Sequence, residues 1–186
     1  MLNRIGASQL KKIKLHLKKG GVIAYPTESC YGLGCDPFNI CAIKKILQLK
    51  QRPTHKGLIV IAGEFKHLAK LISPLTKSEI NELNNYWPGP YSIILPTNHF
   101  VPKILTGNHN KVAVRVTKHT QVINITKYLN SALISTSANK SGKISIKNYR
   151  DCTRLFGRKA LIVNGLTSFS KKPSTIIDFA SKQILR

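Results

Sequence analysis

The chain has 186 residues, 42% of them hydrophobic, and 30 Lys and Arg against 7 Asp and Glu, a formal charge of +23. That length and apolar content suit one domain, residues 1–186, with a sizeable core. No run of about 18 apolar residues occurs, which excludes a membrane-spanning helix, and "MLNRIGASQLKKIK" lacks the apolar stretch of a secretory leader, so the cytoplasm is the expected compartment.

In chain order, Ser8 can cap a first helix with Leu10, Ile13 and Leu17 on one face, stopped by Gly20 and Gly21. Lys11, Lys14 and Lys18 fall on the opposite, solvated face. "GVIAY" reads as a buried strand that runs into "YPTESCYGLGC", a loop crowded with hydroxyls and glycines around one carboxylate, Glu28. Asn39 can cap a helix carrying Ala42, Ile43, Ile46 and Leu47, and "KQRP" leads from it to the strand "GLIVIA". A helix is expected over Phe65 to Ile72. "TKSE", Thr76 to Glu79, fits a capping box for another, ending near "WPGP". Further strands are expected at "YSIIL", "KVAVRV", "ALIST", "ALIVN" and "STIIDF", and helices over His119 to Leu129 and Ile146 to Phe156. About seven strands interspersed with helices, some joined too tightly for regular βαβ units, argue an α/β fold with a twisted, open, mixed sheet. Ligands of such sheets bind in the loops beyond the strand ends.

Several chemistries are excluded. The six histidines are scattered, without H-E-x-x-H or zinc spacing, and no protein metal ligand is expected. There is no G-x-S-x-G elbow and no Walker A pattern, and "GLG" lacks the third glycine of a dinucleotide fingerprint. Cys30, Cys35, Cys41 and Cys152 form no C-x-x-C pair and are expected to be reduced core residues. The positive charge favours polyanions. Codon composition accounts for it equally well, since the excess is mostly lysine among many isoleucines and asparagines.

Three polar segments remain. Residues two apart in extended backbone share a side. Lys50 and Arg52 have that spacing, and Pro53 biases Arg52 towards extended backbone, which would make a two-cation phosphate clamp. Two solvated charges after a helix C-terminus explain the pair as well. Ser135, Ser137 and Asn139 share a face at the end of an apolar strand, as a ligand-binding edge or as an ordinary turn. Tyr25, Thr27, Ser29 and Tyr31 repeat the spacing.

The segments "YPTESCYGLGCDP", "LKQRPTHKGLIVIA", "WPGP", "AVRVT", "STSANKSG" and "PSTIID" occur in the order seen in the YrdC/TsaC family, which the chain resembles over nearly its whole length in the short, single-domain form. The resemblance implies a YrdC-like fold with a positively charged concave face. It also implies an activity: L-threonine, bicarbonate and ATP, with Mg²⁺, give threonylcarbamoyl-adenylate and pyrophosphate. Partner proteins then transfer the threonylcarbamoyl group to an adenosine beside the anticodon of tRNA. On this resemblance Lys50, Arg52, Ser137 and Asn139, with Lys56, serve ATP, and Lys50 and Arg52 are the catalytic pair. Thr27, Ser29, Arg115, Ser135 and Ser174 serve threonine. Lys56 and Ile61 depart from longer relatives, which often have asparagine and histidine there. Glu28 orients its loop or touches a metal. The different reading is a basic RNA-binding or ribosome-maturation factor without nucleotidyl transfer, favoured by the charge but not by the 7% aromatic content.

Overall fold

The computed structural model describes residues 4–168, 170 and 172–186; the first three residues of the N-terminal stretch read above lie outside them. In chain order the elements are α1 (Ala7–Lys18), β1 (Ile23–Pro26), β2 (Tyr31–Gly34), α2 (Ile40–Lys50), β3 (Ile59–Ala62), a single 3-10 turn (Phe65–His67), α3 (Lys77–Leu83), β4 (Tyr91–Pro96), α4 (Lys103–Thr106), β5 (Lys111–Val116), α5 (Thr120–Leu129), β6 (Leu133–Ser137), α6 (Tyr149–Phe156), β7 (Leu161–Ile162) and β8 (Thr175–Asp178). Among the described residues, eight strands form one mixed sheet in the order β7-β1-β2-β6-β3-β5-β4-β8. The parallel pairs are β1 with β7, β3 with β5 and β4 with β8, and the rest are antiparallel.

Local signals set most of the helix ends. The Asn39 side chain accepts from the Ala42 amide at 2.9 Å, and the apolar stripe of α2 is buried as its spacing demands. Thr76 and Glu79 make the reciprocal capping box. Three helix readings need correction. Gly6, not Ser8, is the N-cap of α1, and Ser8 is exposed inside the helix. The segment after Phe65 makes only one 3-10 turn, with Leu68 and Leu71 buried and Ile72 bridged to Thr97, because core contacts outbid helix propensity there. α6 starts at Tyr149, three residues later than its pattern suggested, because the Asn148 side chain caps the Asp151 amide.

The eighth strand is β2, inside the stretch read as a loop. "YPTESCYG" is a hairpin, with Thr27 and Cys30 closing the turn through the Thr27 amide and hydroxyl, 3.0 and 2.7 Å from the Cys30 carbonyl. The glycine of β2 that most needs to be one is Gly34, where a Cβ would lie 2.4 Å from the Ile134 carbonyl oxygen and 2.6 Å from the Tyr25 ring. Only glycine lets β2 pack this closely. Of the four cysteines, all free, Cys35 and Cys152 are buried, whereas Cys30 is half-buried and Cys41 is exposed.

The sheet's two faces differ in chemistry. Cross-strand partners Ile134, Val60, Val114, Ile93 and Ile177 form one continuous buried row. They share the core with Ile13, Leu17, Ile43, Ile46, Val122 and Ile125 of the helices. The alternate row, Ser135, Ile59, Ala113, Ile94 and Asp178, lies on the opposite face by the two-residue period of a strand. That second face is the floor of a cavity. Among the described residues no helix is long and apolar enough to cross a membrane.

Candidate active site

The cavity has a volume of about 980 Å³. Its floor is the face of the sheet that carries Ser135, Ile59, Ala113, Ile94 and Asp178, and its rim consists of the β1–β2 turn, the segment after α2, the loop after β6 and the C-terminal residues. All ten residues singled out from the sequence line it. Thr27 and Ser29 come from the hairpin turn, Lys50, Arg52 and Lys56 from the end of α2 and the segment after it, and Arg115 from β5. Ser135, Ser137 and Asn139 come from β6 and its exit, and Ser174 precedes β8.

The K-x-R geometry differs from the extended-backbone expectation. Lys50 is the last residue of α2, and Gln51 turns the chain in the left-handed conformation at φ 51°. The Lys50 side chain is therefore buried, at 2% exposure, instead of projecting beside Arg52. Its ammonium group has three donors. They reach the Ser137 carbonyl at 2.5 Å, the Asn139 carbonyl at 2.9 Å and Asn139 Oδ1 at 3.2 Å. The Lys50 carbonyl in turn accepts from the Ser141 amide at 2.8 Å. Ser137 Oγ donates to Asn139 Oδ1 at 2.5 Å, and Asn139 Nδ2 donates to the Lys143 carbonyl. Lys50 thus bolts the S-x-N loop in place, and burial, then the neighbouring Arg52 charge, lower its pKa to about 8.

Arg52 has one donor edge on its own loop, Nη2 to the Gly57 carbonyl at 2.8 Å, and its pKa is lowered by burial and next by Arg186. Arg186 was not anticipated. It belongs to no motif, yet its main-chain oxygen accepts from the Ile176 amide at 3.0 Å, and its guanidinium reaches the Ser174 carbonyl at 3.1 Å and lines the cavity. Two arginines of like charge in one rim would together attract an anion. Lys111, Ser92 and Asp178 were also missed. For Lys111 the signal existed, since the alternation of "KVAVRV" puts Lys111, Ala113 and Arg115 on one face.

At the far side, Arg115 is 9% exposed. Its Nε donates to the Gly89 carbonyl at 2.8 Å and its Nη2 pairs with Glu28 Oε1 at 2.7 Å. Thr117 Oγ1 donates to the same Glu28 oxygen at 2.5 Å and accepts from the His119 amide at 3.0 Å. Glu28 thus ties the hairpin turn to β5 through Arg115. Ser174 Oγ lies 2.9 Å from Ser92 Oγ on the adjacent strand.

Residues 16–186 match the sequence profile of the Sua5/YciO/YrdC family, which carries the descriptor "Telomere recombination". The chain belongs to the Sua5/YciO/YrdC family. The threonylcarbamoyl-AMP synthase of Chromobacterium violaceum is 47% identical over 186 residues, all of this chain and 96% of that protein. That of Laribacter hongkongensis is 44% identical over 186 residues, covering both chains completely. Among solved structures, P. abyssi Sua5 complexed with L-threonine superposes with a TM-score of 0.86 at 29% identity over 95% of this chain. This chain spans 52% of that Sua5, about half its length. E. coli YciO, at 22% identity, a TM-score of 0.78 and coverage of 96% of this chain and 90% of its own, shares the fold.

Proposed function

We propose that this member of the Sua5/YciO/YrdC family is a threonylcarbamoyl-AMP synthase, a nucleotidyltransferase that makes L-threonylcarbamoyl-adenylate and pyrophosphate from L-threonine, bicarbonate and ATP. The observation that carries the reading is the union in one cavity of an arginine-rich anion rim with a hydroxyl-lined corner around Arg115. High identity over full length to proteins bearing that activity in their names supports it.

In this reading the amine of threonine condenses with bicarbonate, releasing water, and gives a carbamate. A carbamate oxygen attacks the α-phosphorus of ATP, and pyrophosphate leaves with the electrons of the broken P–O bond. The nucleophile is already anionic, so the chain has to align the reactants and neutralise charge; no general base is required. Arg52, Lys56 and Arg186 meet the triphosphate, and the Ser137–Asn139 loop holds it. Thr27, Ser29, Ser135 and Ser174 supply donors and acceptors for the amino acid, whose carboxylate faces Arg115. The donor set does not suit a resident metal. Asp178 is paired to Lys111 and Glu28 to Arg115, and the described residues hold no cluster of three carboxylate, histidine or cysteine side chains. Mg²⁺ is therefore assigned to the substrate, bound by ATP phosphates and water.

The product is proposed to pass to partner proteins that place the threonylcarbamoyl group on an adenosine beside the tRNA anticodon. The basic surface is available for RNA contact. Pyrophosphate release from ATP, measured with and without threonine and bicarbonate, tests the assignment. Dependence on both is expected. ATP-independent RNA binding with no pyrophosphate release would overturn it in favour of an RNA-binding factor.

A further inference from the structure

Two groups stand out among the cations that line the cavity. On β5, Lys111 pairs with Asp178 at 2.7 Å and Arg115 pairs with Glu28 at 2.7 Å. On the rim, the side chains of Arg52, Lys56 and Arg186 form no ion pair among the described residues, although the chain carries 30 Lys and Arg. Only 7 acidic residues exist, and two of them stand at the two cations of the β5 floor. The cavity is therefore polarised, with an uncompensated cationic rim and a charge-compensated floor.

We infer that Glu28 is a specificity-determining residue that reserves the Arg115 corner for an amino acid by excluding phosphate from it. This rests on the function proposed above. The physical problem is that ATP is a polyanion and every cation in the cavity attracts it. A bare Arg115 would accept a phosphoryl group as readily as a carboxylate, since a guanidinium binds both with the same two-pronged geometry. Glu28 counters this in two ways. Its charge neutralises Arg115 without covering the guanidinium, whose Nη1 takes part neither in the bond to Gly89 nor in the pair with Glu28. Its carboxylate, with Oε2 buried and unpartnered among the described residues, repels an incoming dianion more than zwitterionic threonine, whose ammonium offsets its carboxylate. His119, the nearby histidine, has its pKa lowered by burial and contributes no opposing charge at neutral pH. Thr117 supplies the orientation, because its hydroxyl spans from the Glu28 carboxylate to the backbone of His119.

Charge and orientation are separable by substitution. Glu28→Gln keeps a carbonyl oxygen for Arg115 and Thr117 but removes the charge, whereas Thr117→Val keeps the charge and removes the hydroxyl. Inorganic phosphate is the probe, tested as an inhibitor of threonine-dependent pyrophosphate release. In the wild type it is expected to compete with ATP alone. In Glu28→Gln it should compete with threonine too, at a concentration on the order of tenfold lower than any such effect in the wild type. The ATP KM should stay within about twofold. Thr117→Val should raise the threonine KM on the order of tenfold, the loss of one hydrogen bond to a charged group, without admitting phosphate. Glu28→Gln that folds and leaves phosphate competitive with ATP alone would overturn the inference. So would phosphate competing with threonine in Thr117→Val, which would reduce Glu28 to a structural brace and would decide the matter even if Glu28→Gln failed to fold. If the wild type releases no pyrophosphate, the functional reading fails separately. Calorimetric titration of threonine and of phosphate into the same proteins then decides the inference without turnover.

Discussion

The most informative single group for a pH experiment is Lys50. Its ammonium sits at 2% exposure with all three donors committed to the Ser137–Asn139 loop, and burial lowers its pKa from 10.5 to about 8. At pH 7 about nine in ten molecules keep the proton, and at pH 9 about one in ten does, by the tenfold-per-unit law. Losing the proton removes one of three donors and the charge from all three contacts. The loop that presents Ser137 and Asn139 should then loosen, so ATP affinity should fall through a midpoint near pH 8. The fold itself responds in the opposite sense. Between pH 8 and 10.5 the unfolded chain holds the Lys50 proton and the folded chain does not, so this group adds stability as pH rises, by about 1.4 kcal/mol per unit. Burial raises Cys30, Cys35 and Cys152 in the fold, so unfolded-state thiols ionise first and oppose this gain, from about one-tenth ionised at pH 8 to about half at their ordinary value of 9. From pH 8 to 9 the melting temperature should accordingly hold or rise while ATP affinity drops. Calorimetric titration of ATP without threonine, which removes the substrate amine from the pH profile, measures the first, and thermal denaturation the second. Lys50→Met should bind ATP weakly, by at least about tenfold for the loss of a charged hydrogen bond, and show no step near pH 8. A wild-type affinity that is flat from pH 7 to 9.5, or a step that survives in Lys50→Met, would refute the reasoning.

Three further outcomes are expected. Arg52→Ala should lower turnover about ten- to a hundred-fold without unfolding the chain, and Arg52→Lys should also be impaired because a point charge does not reproduce a planar fork; both are read from steady-state pyrophosphate release. Asn139→Ala should raise the KM for ATP more than that for threonine, and Arg115→Ala the reverse, so equal effects on both substrates would show that the partition of the cavity is wrong. Valine should be rejected far more strongly than serine, which loses only about 1–3 kcal/mol with its methyl group, because valine strands the buried hydrogen-bonding groups of the corner; competition assays against threonine measure the ratio.

Legibility from the sequence followed the range of the interactions involved. Buried stripes, the Asn39 cap, the Thr76–Glu79 box and most strands are local patterns, set by propensity and by side-chain periodicity, and they could be read residue by residue. The lysines of α1 show where that stops. Lys11 and Lys18 are exposed as their face predicts, but Lys14 is half-buried with its Nζ 5.5 Å from the centre of the Tyr128 ring on α5, a contact no period encodes. β2 was hidden for a related reason: a four-residue strand of two glycines and two apolar residues looks like a loop until β1 and β6 supply its hydrogen bonds. All ten candidate site residues were named from motifs, yet the motifs are silent on what each side chain does there. Lys50 and Arg52 stand two apart in sequence, but the left-handed Gln51 turns one into the loop and leaves the other on the rim. Arg186 and the pairing of Glu28 with Arg115 depend on contacts between residues far apart in the chain. Charge balance across a cavity is a sum over three-dimensional neighbours, so the sequence determined which charges exist, and only the tertiary structure decided which of them are neutralised.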